Sequence, residues 1–302
     1  MKKFLVFSGF VVLLLLCLML ISPSGVLAQA KGAGAKYVGA DTCKGCHEDY
    51  FNNFASSIHG KKYVPGNPAN KDGCESCHGP GSVHVDAGGG KGSILSGAKE
   101  MAPMCLSCHQ DGKELTSWDM GRHKATGVYC ADCHSGHSTG KKLLKSPEPV
   151  LCYSCHKDIR AMMGRQSHHP VNEGKVKCSD CHTPHGGFGP KMIKADTNNE
   201  LCFKCHAEKR GPFMWEHPPV EENCLNCHSV HGSNHFSLLV QRPPMLCSAC
   251  HPTGHPSTLY GANQMFTGPN TSIRAVGRSC VNCHVNIHGS NGPGSFGQFF
   301  VR

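Results

Sequence analysis

The sequence predicts a chain that is mostly coil with short α-helices, elongated, and built from five repeats without a polypeptide core of ordinary size. Three observations lead there. Glycine (36) and proline (19) are frequent and aromatic residues make up only 7%, so no helical or alternating apolar period persists over a long window. Apolar residues gather instead around one short motif that recurs ten times. The histidines lying between these motifs recur in register with them, which marks an internal repeat.

The motif is Cys-x-x-Cys-His. Its cysteine pairs are Cys43 and Cys46, Cys74 and Cys77, Cys105 and Cys108, Cys130 and Cys133, Cys152 and Cys155, Cys178 and Cys181, Cys202 and Cys205, Cys224 and Cys227, Cys247 and Cys250, and Cys280 and Cys283. The histidines that close them are His47, His78, His109, His134, His156, His182, His206, His228, His251 and His284. Of the 21 cysteines only Cys17 falls outside the motifs. A disulfide framework gives no reason for this spacing, and zinc gives no reason for a histidine directly after every second cysteine. Covalent haem c gives both: two thioethers to the porphyrin edge and an adjacent imidazole on the iron. The fold class is therefore a multihaem cytochrome c carrying ten haem c groups, in which haem supplies the core.

The start of the chain reads as an export signal. Lys2 and Lys3 precede an apolar run from Phe4 to Ile21, and Ala28-Gln29-Ala30 is a small-residue cleavage pattern. Residues 1–30 are the expected signal peptide, with Cys17 inside it, and 31–302 the decahaem domain. An uncleaved anchor is the rival reading of this run. The formal charge of +9 is no argument for nucleic acid. Ten haems bring two propionates each, and the oxidised holoprotein comes to about −3.

Twelve of the 22 histidines lie outside the motifs. Each successive pair of motifs carries one between its members and one shortly after the second. These are His59 and His84, His123 and His137, His169 and His185, His217 and His231, and His255 and His288. The repeats run approximately 43–84, 105–137, 152–185, 202–231 and 247–288. Only His168 and His235 are spare. His169 is taken over His168 because His169-Pro170 aligns with His217-Pro218 and His255-Pro256. These ten are the expected second axial ligands. A histidine three residues past the motif histidine, such as His231 after His228, lies on the same side of that porphyrin and is better placed to ligate a different haem. Spacing does not reveal which.

Bis-histidine iron has no open position for a substrate, which favours an electron carrier over an enzyme. Met120 and Met214, the methionines nearest the ligand positions, are expected to pack, as are Trp118 and Trp215. The pairs Ile94-Leu95, Leu143-Leu144, Met192-Ile193 and Leu238-Leu239, each eight to ten residues before the next motif, are expected to pack on porphyrin. A short helix is expected over Cys152 to Met163.

The count of ten, the segment HPPVEENCLNCHSVHGS (217–233) and the segment CVNCHVNIHGSN (280–291) resemble the periplasmic decahaem cytochromes of the DmsE/MtrA type, over essentially the whole mature chain. The resemblance implies an extended haem wire held partly or wholly inside an outer-membrane β-barrel porin. It also implies a periplasmic or inner-membrane cytochrome as donor and an outer-surface multihaem cytochrome or terminal reductase as acceptor. The Gly-rich tail after His288, with Phe296, Phe299 and Phe300, departs from that pattern. The alternatives are a soluble periplasmic shuttle, a reductase of a small substrate such as nitrite or tetrathionate, and a filament subunit.

Overall fold

The structure, a computed structural model, describes residues 34–251 and 279–301. The expected signal peptide, Cys17 and His255 lie outside the described residues. Within them there are short α- and 3-10 helices and isolated β-bridges but no extended strand, and the longest helix is the 12-residue Ala98–His109. Mostly coil with short helices is thus the architecture found. No helix among the described residues is long and apolar enough to cross a membrane. The buried apolar residues among them are few: Leu95, Ala102, Trp118, Met163, Val171 and Ile193.

The recurring local structure is one helical turn. In the nine motifs outside the helix Ala98–His109 the histidine N–H donates to the carbonyl of the first cysteine, at 2.9 Å in His47, 2.8 Å in His134 and 3.0 Å in His228. Residues at i, i+3 and i+4 share a face of such a turn, so both sulfurs and the imidazole point the same way. The expected helix over 152–163 is instead two, Val150–Tyr153 and Lys157–Met163. The break falls at the motif's end, where the backbone of His156 leaves helical geometry at φ −87° and ψ 66°.

The polypeptide forms two compact units, one ending at Cys108 and one starting at His109. In the first, the segment from Lys36 to Gly39 is tied to the second motif by the buried carboxylate of Glu75. That carboxylate accepts hydrogen bonds from the N–H groups of Val38, Gly39 and Gly81 at 2.7–3.2 Å.

In the second unit, a turn from the following linker clamps three motifs. The histidines His134, His182 and His228 bridge to Leu144, Ile193 and Leu239. Two residues before each apolar partner the chain enters the left-handed region, at Lys142-Leu143, Lys191-Met192 and Ser237-Leu238, with φ from 53° to 58°. Non-glycine residues there cost about 1–3 kcal/mol each and persist only where the surroundings fix them.

Three glycines follow histidines of the second set and let them approach the preceding repeat. A Cβ on Gly186 would sit 2.2 Å from the Ser117 carbonyl oxygen, one on Gly232 1.9 Å from that of Met162, and one on Gly289 2.1 Å from the Phe213 ring. Gly232→Ala is therefore expected to destabilise the protein by about 1–3 kcal/mol. A thermal melt followed by circular dichroism checks this, and an unchanged midpoint would contradict it.

Candidate haem centres

Numbering the motifs 1 to 10 along the chain, seven motif histidines each face one histidine of the second set. The pairs are His47 with His84, His123 with His156, His134 with His185, His169 with His206, His182 with His231, His217 with His251, and His228 with His288. Their ring centres lie 6.0–6.4 Å apart. That gap is the right one for a single metal atom. A metal–imidazole bond of about 2.0–2.1 Å, plus roughly 1.2 Å from nitrogen to ring centre on each side, puts trans rings about 6.4 Å apart. Five pairs are near-parallel, with interplanar angles of 13–25°. His123–His156 and His169–His206 are tilted at 56° and 54°.

The pairing obeys a rule that spacing had left open. Even motifs 4, 6 and 8 take the histidine following the motif two further on: His185, His231 and His288. Odd motifs 5, 7 and 9 take the histidine from inside the preceding repeat: His123, His169 and His217. Each of these six pairs joins neighbouring repeats, as expected for His231, His185 and His288. His47 with His84 stays within the first repeat. His59, His109 and His137 have neighbours of their own.

Second contacts orient the rings. The Nδ1 atoms of His78, His134, His182, His228 and His284, all in even motifs, lie 2.6–3.1 Å from the carbonyl oxygens of Leu95, Lys142, Lys191, Ser237 and Phe299. Nδ1–H donates to the carbonyl, which leaves Nε2 free for iron and fixes the ring. This is the use of the left-handed turns: they aim a carbonyl at the motif histidine. For odd motifs the order lies on the partner ring. His84, His123 and His169 place Nδ1 2.7–3.1 Å from the carbonyl oxygens of Gly90, Pro184 and Val230. Ile287, equivalent to Pro184 and Val230, lies against His217 Nδ1, although that buried atom has no hydrogen bond of good geometry.

Burial pushes His185, His231 and His288 below the ordinary imidazole value; a facing motif histidine adds to this for each, and at His288 Lys209 adds more than His228 does. The neutral ring is the form that binds iron. His168 is held differently. Its Nδ1 meets the Arg165 carbonyl at 2.7 Å and its Nε2 meets Glu173 at 3.1 Å, so both ring nitrogens are engaged. Trp118 is buried, and Trp215 donates from Nε1 to the Gly292 carbonyl. Met120 and Met214 are exposed on the polypeptide.

The cysteines show how successive centres meet. First cysteines are hydrogen-bond neighbours across motifs 1 and 2 (Cys43, Cys74), 5 and 6 (Cys152, Cys178), 7 and 8 (Cys202, Cys224) and 9 and 10 (Cys247, Cys280). Second cysteines adjoin across motifs 2 and 3 (Cys77, Cys108), 4 and 5 (Cys133, Cys155), 6 and 7 (Cys181, Cys205) and 8 and 9 (Cys227, Cys250). At these eight junctions attachment points meet in chain order, alternating between the two thioether positions.

Comparison with known proteins identifies the family. The family described as "Doubled CXXCH motif" matches residues 123–161, 168–211 and 217–255. The chain is 41% identical over 267 residues to the multiheme cytochrome MtrA of Shewanella baltica (strain OS185), covering 84% of this chain and 79% of that one. It belongs to the MtrA family of multihaem c-type cytochromes. As a member it binds haem c covalently and is an electron carrier, not an enzyme.

More distant likenesses are to the C-type polyheme cytochrome OmcB of Geobacter sulfurreducens (strain DL-1 / KN400), 26% identical over 81% of this chain and 33% of that one. A shorter stretch, 38% of this chain and 24% of the relative, is 30% identical to the cytochrome c nitrite reductase subunit NrfA of Nitratidesulfovibrio vulgaris (strain Hildenborough). Each family block in the MtrA-like chain opens with, or one residue before, a second-set histidine and contains both members of one tilted or parallel pair, such as His123 with His156.

Sequence reasoning missed the carbonyl-bearing turns. Their signal was present in the linkers GKKLLK (140–145), GPKMIK (189–194) and HFSLLV (235–240), where the residue before each apolar pair supplies the oxygen. The two spare histidine choices are separable by experiment. His169→Ala is expected to open one haem, giving a high-spin signal and carbon monoxide binding equal to about one haem per chain. His168→Ala is expected to leave both unchanged.

Proposed function

We infer that this cytochrome carries ten haems, each held between two histidines, and conducts electrons between periplasmic redox partners and the outer membrane or cell exterior, inside a porin-like barrel. The observation that supports this most strongly is the cross-repeat pairing of histidines at the spacing one iron requires. The ligands of the ten irons would be the motif histidines with His59, His84, His123, His137, His169, His185, His217, His231, His255 and His288. When bound, haem iron supplies reversible one-electron chemistry. The chain's part is to close both axial positions, fix the rings through Nδ1, and bring successive attachment edges together in sequence order. No position remains at which a substrate would bind iron.

The location and partners rest on the family resemblance together with the expected signal at residues 1–30. They comprise a β-barrel porin, a periplasmic or inner-membrane donor and an outer-surface cytochrome or reductase. The repeats at 43–84, 105–137, 152–185, 202–231 and 247–288 would then form one continuous conductor.

The test is gentle detergent extraction of outer membranes from the native host. A large β-barrel protein is expected to co-purify at about one to one, and the pair is expected to carry electrons into sealed liposomes. Recovery of the cytochrome alone in the periplasmic fraction would overturn the barrel-embedded reading in favour of a soluble shuttle.

A further inference from the structure

The segment after His288 starts like a linker, with HGSN at 288–291 as at 231–234, and then departs into Gly-rich sequence. It nevertheless makes the contacts that the linkers make. In motifs 4, 6 and 8 the carbonyls of Lys142, Lys191 and Ser237 reach Nδ1 of the motif histidine from eight or nine residues away. The residue after that histidine donates its N–H to the next linker carbonyl: Ser135 to Leu143, Thr183 to Met192 and Ser229 to Leu238, at 2.7–2.8 Å. In motif 10 the carbonyl is that of Phe299, 15 residues on and 2.6 Å from Nδ1 of His284. Asn286 donates to the next carbonyl, that of Phe300, at 3.1 Å. A left-handed residue is present here too, Phe300 at φ 59°.

The tail has the internal bonds needed to hold that turn. The short helix Gly294–Gln298 closes on Gly292: Gly297 is buried, and a Cβ on it would sit 1.8 Å from the Gly292 carbonyl oxygen. Phe300 and Val301 donate to the carbonyls of Gly297 and Phe296 at 3.0 and 2.9 Å. The start of the tail is fastened to the preceding repeat. Ser290 and Trp215 exchange two backbone hydrogen bonds at 2.9 Å, and the Asn291 side chain accepts from the Met214 N–H at 2.8 Å.

The tail also reaches the partner ring of motif 9. The Phe300 ring centre lies 5.4 Å from that of His217, with the planes 57° apart, a favourable aromatic contact. His123 and His169, the equivalents of His217, are instead held at Nδ1 by the carbonyls of Pro184 and Val230, and their pairs are tilted at 56° and 54°. His217 has no such bond of good geometry, and its pair is near-parallel at 20°.

We propose that residues 289–301 cap the fifth repeat in place of a linker. Phe299, through its carbonyl, and Phe300, through its ring, are positioning residues for His284 and His217. Stacked repeats are closed by atypical end segments of this kind. The inference rests on the reading that motifs 9 and 10 carry haems. A carbonyl that accepts from Nδ1–H makes the imidazole a stronger donor to iron and favours the ferric state, so losing it raises the potential of that haem.

The experiment is a spectroelectrochemical titration and electron paramagnetic resonance of the full-length holoprotein, with haem content from intact mass. Phe300→Gly removes the ring, while glycine accepts a positive φ and leaves the Phe299 carbonyl aimed at His284. Phe300→Pro removes the same ring and cannot adopt that φ. Phe300→Gly is expected to change the low-spin signal of one haem per chain, that of motif 9. Phe300→Pro is expected to do the same and also to raise the potential of one further haem, that of motif 10, by about tenfold in its equilibrium constant. For a one-electron couple that is about 59 mV. Gly297→Ala forces the tail apart at Gly292 without altering Phe300 itself, and is expected to raise the motif 10 potential likewise.

With ten low-spin haems retained, two results would each overturn this inference and leave the conduit reading intact. One is an unchanged resonance spectrum in Phe300→Gly. The other is a Phe300→Pro curve that coincides with that of Phe300→Gly together with a Gly297→Ala curve that coincides with the wild type, even where the melting midpoint falls. Fewer than ten haems or a high-spin population in the wild-type protein would instead undermine the conduit reading itself.

Discussion

Two imidazoles must face each other across one iron, and the chain cannot supply both from one short segment. A motif histidine and the histidine three residues after it lie on the same side of a porphyrin. The proposed second ligand therefore comes from elsewhere, and for motifs 4 to 9 the facing histidine comes from the neighbouring repeat. Most other features follow from this requirement. His-Gly pairs exist because a histidine crossing to the preceding repeat brings its backbone against that repeat, with no room for a Cβ at Gly232. Isolated bridges such as Ser167 with Ser233 and Trp215 with Ser290 fasten the same crossings.

Stability is distributed accordingly. With a handful of buried apolar side chains, the polypeptide cannot offset its own conformational entropy in the way a globular domain of this length does. Iron–imidazole bonds and thioethers take over that role, and binding energy becomes folding energy. The left-handed turns at Lys142, Lys191 and Ser237 are intelligible in that setting. They hold strained backbone so that a carbonyl oxygen reaches the Nδ1 atom of a motif histidine. Ring orientation is secured through the motif histidine in even motifs and through the partner ring in motifs 1, 5 and 7.

Much of this was legible in the sequence because the chemistry demands particular residues at particular spacings. Cys-x-x-Cys-His is one helical turn with three groups on one face, and the turn is what the structure contains. His169 rather than His168 followed from its alignment with His217, and His169 faces His206 while His168 turns to Glu173. Crossing to a different motif was predictable for His231, His185 and His288 from local sterics alone. The choice of motif was not, because it depends on how repeats stack, which is a long-range property. The carbonyl-bearing turns escaped notice for another reason. A backbone oxygen leaves no trace in side-chain type, and non-glycine residues in left-handed conformation give no compositional warning.

The central claim is that this chain closes both axial positions of ten irons with histidine. Near-infrared magnetic circular dichroism of the oxidised protein, combined with intact-mass determination of haem content, tests it most directly. Ten haems per chain, all low-spin with the bis-histidine signature, is the result this account predicts. A high-spin fraction or a methionine-ligated signal amounting to one haem or more, or a mass showing fewer than ten, would contradict it.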